Sequence, residues 1–280
     1  MSVESWFRLD GKVAVVTCGT GALGSAMARG LVAAGTRVAV LARNAAKVQE
    51  RVSELGAEGG EALGLVGDVL ERASLEGVRD ELLERWGRVD ILVNAAGGNV
   101  AGATLQPGEN VLGLSEDAFR EVFDLNFIGT LLPTQVFGAA MADSARERGE
   151  DPAGSVVNIS SMAAVRVLTR TVGYSAAKAA IDNLTRWLAV ELARNNSPGL
   201  RVNAIAPGFF VGEQNRALLL EPDGGLTERG RTIVEHTPAG RFGEPDELVS
   251  TVVWLCGPGA SFVTGVVVPV DGGFSAFSGV

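Results

Sequence analysis

The chain has 280 residues, of which 46% are hydrophobic and 20% charged, and it carries a net charge of -9. That length can bury a substantial core in one large domain or two small ones, and the acidic balance argues against nucleic acid or an anionic membrane as partner. Two cysteines, Cys18 and Cys256, make no disulfide framework, and residues 1–8 hold no apolar leader core, so a cytoplasmic location is expected.

A first strand over residues 12–17 passes through Cys18-Gly-Thr-Gly-Ala-Leu-Gly24 into a helix over 22–34. Gly19, Gly21 and Gly24, together with Thr17, Thr20 and Leu23, set backbone amides at a helix N-terminus, where a pyrophosphate can approach without side chains in the way. A turn of this kind also serves as a plain tight βα connection, and the alternation that follows decides for a dinucleotide. The second strand, over 37–42, ends at Ala42-Arg43. An acid there would accept the ribose hydroxyls of NAD; its absence, with the Arg43 guanidinium beside it, favours NADP(H) over NAD(H).

A polar helix then runs to about residue 56, and a third strand over 62–67 leads to Asp68-Val69. A charged helix covers 71–86, and a fourth strand over 89–93 enters Asn94-Ala-Ala-Gly97. Residues 98–114 read as a loop, 116–142 as one long helix containing Asn126, and 143–154 as a charged surface connection. The fifth strand, 155–159, delivers Ser160-Ser161; a helix carrying Tyr174 and Lys178 extends to about 195; the sixth strand, 200–205, precedes Ala206-Pro207-Gly208. Residues 209–241 are irregular and read as a segment that covers substrate. The uncharged stretch 248–270 has the length of a membrane span, but Gly257-Pro258-Gly259 divides it into a helix, a turn and a last strand over 266–270. Strand-helix alternation without a linker predicts a single α/β domain over 1–280, a Rossmann-type doubly wound parallel sheet of about seven strands with helices on both faces.

Tyr174 and Lys178 stand four residues apart, one turn apart on one helix face. A phenol, with a pKa of about 10, serves as an acid-base group at neutral pH only where its surroundings favour the ionised form, as a nearby ammonium does. Ser161 lies thirteen residues before Tyr174, at the end of a buried strand. With the glycine turn, Asn126 and these three residues in order, the chain resembles the short-chain dehydrogenase/reductase family, in the form built on an Asn-Ser-Tyr-Lys tetrad.

That resemblance implies hydride transfer between nicotinamide and a carbonyl. Ser161 is expected to hydrogen-bond the carbonyl oxygen, Tyr174 to deliver the proton, Lys178 to lower the tyrosine pKa and hold the nicotinamide ribose, and Asn126 to anchor a water. Asp68 and Val69 are expected at the adenine, Asn94, Ala95, Ala96 and Gly97 beside the adenine ribose, and Pro207 and Gly208 at the cofactor. Asp68 also suits a cap on the helix beyond it. Cys18 stands where the family pattern has its first glycine, and Ala22 where it has its second, with Gly21 one place early. A side chain at position 18 is expected to crowd the turn and weaken cofactor binding.

The stretch from Ser161 to Arg170, the loop at Gly97-Gly-Asn99 and the run from Pro207 to Arg216 are similar to the D-mannonate oxidoreductase (fructuronate reductase) branch of that family. Reduction of a keto group in a sugar acid is therefore expected, with Arg166 or Arg170 clamping a carboxylate and Asn99, Gln214, Asn215 and Arg216 meeting hydroxyls. Other readings stay open: a reductase of another sugar, polyol or 3-oxoacyl thioester, or a dinucleotide-binding sensor without chemistry. The arginines also suit surface or subunit contacts. His236 is the sole histidine, so no histidine triad or metal site is expected. The final helix and Val270-Asp-Gly-Gly273 resemble the family's assembly surfaces, implying a homodimer or homotetramer.

Overall fold

The computed structural model describes residues 2–106, 108–149, 154–213 and 215–279. Seven strands, β1 (Val13–Thr17), β2 (Arg37–Ala42), β3 (Ala62–Val66), β4 (Ile91–Asn94), β5 (Gly154–Ile159), β6 (Leu200–Pro207) and β7 (Val267–Val270), form one sheet in the order β3-β2-β1-β4-β5-β6-β7. Every pairing is parallel. β1, β4, β5 and β6 are buried along their whole length. Helices cover both faces of such strands, which is why they read as mostly apolar and not as alternating runs, and the polar residues they do bury, Asn158, Arg201 and Asn203, are hydrogen-bonded inside.

The helices are α1 (Ala22–Ala33), α2 (Ala45–Ala57), α3 (Arg72–Trp86), α4 (Glu116–Phe123), α5 (Gly129–Arg148), α6 (Val172–Asn195), α7 (Arg216–Leu219), α8 (Glu228–Glu235) and α9 (Val249–Cys256). Leu75, Leu82, Phe137, Met141 and Leu188 of α3, α5 and α6 pack one face of the sheet. Met27, Leu31, Leu55, Val252 and Leu255 of α1, α2 and α9 pack the other. Each such side chain contributes about 1.5–3 kcal/mol by leaving water. Local signals set the ends: Asn44 caps α2 by accepting from the Lys47 amide at 3.0 Å, and Gly87 closes α3 in the left-handed region at φ 69°.

Three expectations need correction. The helix expected over 116–142 is two helices joined by a π turn at Asp124–Ile128. Its second half continues to Arg148, through residues expected as a surface connection, because Arg146 pairs with Asp143 one turn back and the left-handed Gly149 ends the run only there. The segment 209–241 is not wholly irregular, since it contains α7 and α8, the latter capped by Thr227 accepting from Gly230 at 2.9 Å. The uncharged stretch 248–270 is, as expected, a helix, a turn and a strand.

Candidate active site

The chain leaves β3 at one edge of the sheet and returns to its centre as β4, beside β1. At such a reversal the loops after neighbouring strands diverge and leave a crevice at the carboxyl ends of the strands. Thr17, Asn94 and Asn158 stand in register across β1, β4 and β5 at this end. The Thr17 hydroxyl accepts from the amides of Ala95 at 3.0 Å and Ala96 at 3.1 Å, so β1 fixes the loop leaving β4. The Asn94 amide group donates to Thr134 and Asn158, which knits the same row from beneath.

The glycine turn after β1 is tight. A Cβ at Gly24 would sit 2.5 Å from the Cys18 carbonyl oxygen, so only glycine fits. Gly21 is the N-cap of α1 and supplies no side-chain acceptor, which leaves the first amides of that helix facing the crevice without a cap. These are the features an anionic pyrophosphate requires, and the residues present fit a dinucleotide. Cys18 occupies the left-handed region at φ 51° and lines the crevice, the position at which the family pattern places glycine. Burial raises its thiol pKa, with the Arg43 charge opposing.

The π turn places Asn126, fully buried, against the loop after β4. Its side chain donates to the Gly98 carbonyl at 2.7 Å and accepts from the Gly98 amide at 3.1 Å. Gly97 lies between them: a Cβ there would come within 2.6 Å of Asn126 Oδ1 and 3.0 Å of Lys178 Nζ.

β5 ends at two serines with different surroundings. Ser160 donates to the Asp182 carboxylate, whereas Ser161 hydrogen-bonds the Tyr174 phenol and accepts from the Ala163 amide at 3.1 Å. Lys178 is buried and donates to the Ile159 carbonyl at 2.7 Å, with Nζ 5.6 Å from the Tyr174 ring centre. Burial pushes Lys178 down to about 8, while the Asp182 charge pulls it back up. The expected lowering of the tyrosine is not what the surroundings produce. Burial raises the phenol pKa, the Ser161 hydrogen bond opposes it, and the ammonium is turned to Ile159.

One cavity of about 570 Å³ runs from the glycine turn to these side chains, a size within the usual range of ligand pockets. It brings together Thr20, Gly21, Leu23, Gly24, Ala95, Gly97, Asn99, Ser161, Tyr174, Lys178, Pro207, Gly208 and Asn215. Thr17, Gly19, Asn94, Ala96 and Asn126 are not among its lining residues. Arg43 and Asp68 pair at 3.8 Å outside it, and Asp68 accepts from the Leu70 amide at 3.0 Å, a turn ahead of the α3 cap at Glu71. Val69 lies beside Gly129.

The two arginines expected at a carboxylate do not line the cavity. Arg166 donates to the Ser275 carbonyl, and Arg170 donates to the Leu105 carbonyl at 2.6 Å and to Gln106 at 3.1 Å. Both tie loops together. Arg216 opens α7 away from the cavity lining, and Gln214 lies outside the described residues. Asn99 and Asn215 line the cavity, although their amides also hold their own loops, through Thr104 and Phe210. Two cationic lining residues, Arg51 and Arg229, carry no motif that marks them in the sequence.

Comparison with known proteins agrees with this geometry. Residues 20–275 match a protein family described as enoyl-(acyl carrier protein) reductase. The chain is 46% identical to the uncharacterized oxidoreductase UxuB of Bacillus subtilis (strain 168), across 98% of each sequence. A candidate D-mannonate oxidoreductase of Haemophilus influenzae, solved with NAD bound, is 39% identical over the full length of both chains, with a TM-score of 0.87. A gluconate 5-dehydrogenase of Burkholderia cenocepacia, solved with NADP and tartrate, is 30% identical over 98% of this chain and 99% of that one, with a TM-score of 0.85.

Proposed function

The chain belongs to the short-chain dehydrogenase/reductase family, an oxidoreductase acting on CH–OH groups of sugar-like substrates with a nicotinamide dinucleotide, and we propose that its substrate pair is a sugar acid, D-fructuronate and D-mannonate. The meeting of Ser161, Tyr174 and Lys178 in one cavity continuous with an uncapped glycine turn supports the chemistry, and the full-length likeness to a candidate D-mannonate oxidoreductase supports the substrate. The bound nicotinamide dinucleotide supplies or accepts the hydride at the carbon that changes between carbonyl and alcohol. The residues of this chain handle the proton and the developing charge on oxygen.

In the reductive direction the Ser161 hydroxyl donates to the carbonyl oxygen, and the Tyr174 phenol, kept protonated by burial, gives it a proton. Ser160 is excluded from that part because its hydroxyl is bound to Asp182. Lys178 steadies the site with a positive charge that burial makes easy to lose, and it holds the ribose hydroxyls. Asn126, two hydrogen bonds from Gly98, fixes the loop opposite and anchors the water that returns protons to Lys178.

Of the two cofactors we favour NADP(H). No acid stands at Ala42, so nothing there repels a 2′-phosphate, and Arg43 is 76% exposed with only a 3.8 Å contact to Asp68 to hold it back. The protein acts in the cytoplasm as a homodimer or homotetramer, and the whole chain 1–280 serves as one domain.

The test is oxidation of NADPH and of NADH by purified protein with D-fructuronate, uncharged ketoses and a 3-oxoacyl thioester. Turnover of fructuronate above the others, faster with NADPH, and its loss by about 10³-fold or more in Tyr174→Phe are expected. Turnover of uncharged ketones or thioester alone overturns the substrate; equal efficiency with both cofactors overturns the preference; an active Tyr174→Phe overturns the assignment of the proton donor.

A further inference from the structure

Four charged side chains line the cavity: Arg51, Lys178, Glu213 and Arg229. Three have ion partners or buried hydrogen bonds of their own. Arg51 pairs with Glu54, Glu213 with Lys47 at 3.5 Å, and Lys178 donates to Ile159 at 2.7 Å. Arg229 differs. Among the described residues no carboxylate lies within ion-pair distance of it, and its recorded contact is a hydrogen bond to the Thr169 hydroxyl at 3.1 Å. It is half-buried on α8, in the segment that covers the cavity.

A second guanidinium stands close by. Arg170 adjoins Thr169, the hydrogen-bond partner of Arg229, and burial lowers the Arg229 pKa, with the Arg170 charge lowering it further. Arg170 itself cannot turn into the cavity, because Leu105 and Gln106 hold its guanidinium and its backbone sits in the left-handed region at φ 77°. Two like charges brought together under a partly dry wall, without an acid between them, repel each other. An anion arriving beside Arg229 would relieve that repulsion. Leu168, one residue before the Thr169 that holds Arg229, lines the same cavity as Ser161 and Tyr174.

We infer that Arg229 is the residue that receives the carboxylate of the substrate, with Thr169 aiming it and Arg170 fixed behind it as a supporting charge. The inference rests on the sugar-acid reading above and assigns its specificity to a residue from the covering segment instead of from the loop between Ser161 and Tyr174. A planar guanidinium grips a carboxylate through two parallel N–H groups, which a lysine cannot reproduce.

The experiment compares D-fructuronate with D-fructose, the same skeleton with a hydroxymethyl group in place of the carboxylate, in wild type, Arg229→Gln, Arg229→Lys and Arg166→Ala. Cofactor affinity and D-mannonate binding to the cofactor complex are measured alongside. In Arg229→Gln the fall in kcat/KM should be about 10- to 100-fold larger with fructuronate than with fructose, mostly through KM, with partial recovery in Arg229→Lys. Arg166→Ala, which loosens the loop that carries Thr169 but leaves the Arg229 guanidinium in place, should show a smaller difference between the two substrates than Arg229→Gln. An equal fall with both substrates in Arg229→Gln, while wild type still prefers fructuronate, overturns Arg229 and leaves the sugar-acid reading standing. If wild type turns over no sugar acid yet binds D-mannonate through Arg229, the catalytic reading falls and the anion site survives. Absence of both turnover and binding overturns both. A loss of NADPH affinity matching the loss in kcat/KM places the guanidinium on the cofactor phosphate and also overturns the inference.

Discussion

At Lys178 the sequence supplies an ammonium and the fold removes its water. With its pKa pushed down to about 8 from an ordinary value of 10.5, it gives up its proton well before an exposed lysine does. Reductive kcat/KM should therefore fall as pH rises through about 8, and a pH profile of the free enzyme checks it. Stability should move the other way. Between about 8 and 10.5 the unfolded chain holds a proton at this position that the folded chain has lost, so stability rises with pH across that window; below it, both states are charged and the folded one bears the full cost of burying the charge. Lys178→Met should flatten the Tm dependence over the same range, and a variant with an unchanged slope would show that another group sets it. Cys18 is a different case, a side chain in backbone that favours glycine. Cys18→Gly should stabilise the fold by about 1 kcal/mol, the cost typical of a left-handed non-glycine residue, and should tighten cofactor binding. Thermal unfolding and a cofactor titration measure both effects. Affinity equal to wild type would show that the thiol does not crowd the turn.

Between elements, the catalytic geometry depends on how β4 meets the π turn. Gly97→Ala places a methyl group against Asn126 and Lys178 at a backbone φ of 151°, which alanine rarely adopts. The strain, about 1–3 kcal/mol, should lower Tm modestly, while turnover should drop at least about 10²-fold if both contacts belong to the proposed proton path. Near-normal turnover would mean that the path does not pass there. The strands of this arrangement were legible in the sequence, since buried parallel strands such as Val13 to Val16 are apolar on both faces, and Ser161 is distinguished from Ser160 by an interval to Tyr174 that matches that of the resembled family. The π turn was not, because Asp124 to Ile128 continue the periodicity of a helix and the extra residue shows only in which carbonyls the backbone reaches. Nor was Arg229: nothing near it in sequence is catalytic, and only the folding of α8 over the cavity brings it within reach. Arg166 and Arg170 misled for the converse reason, being close to Tyr174 in sequence while their guanidinium groups turn to Ser275, Leu105 and Gln106.

Across the whole molecule, one sheet edge is linked to the active site. β7 has a strand partner on one side only, and beside it Phe262 is fully exposed and Val266 is 38% exposed. An open strand edge next to an exposed aromatic ring invites pairing, and a second copy of the chain would cover both at once. The same strand leads to Asp271, whose carboxylate accepts from the amides of Gly273 at 2.9 Å and Ser275 at 2.8 Å, and the Ser275 carbonyl holds Arg166 in the loop that carries Leu168 and Thr169. Assembly at this edge would therefore brace the wall that carries Thr169, the residue proposed to aim Arg229. Wild-type protein should sediment as a dimer or tetramer, and Phe262→Glu should shift it to a smaller species with its circular dichroism unchanged. The smaller species should show a higher KM for the keto acid while the cofactor Kd stays the same, since the glycine turn lies on the far side of β4. A monomeric wild type would remove the premise, and dissociation without a change in KM would leave the edge as an assembly surface with no hold on the site.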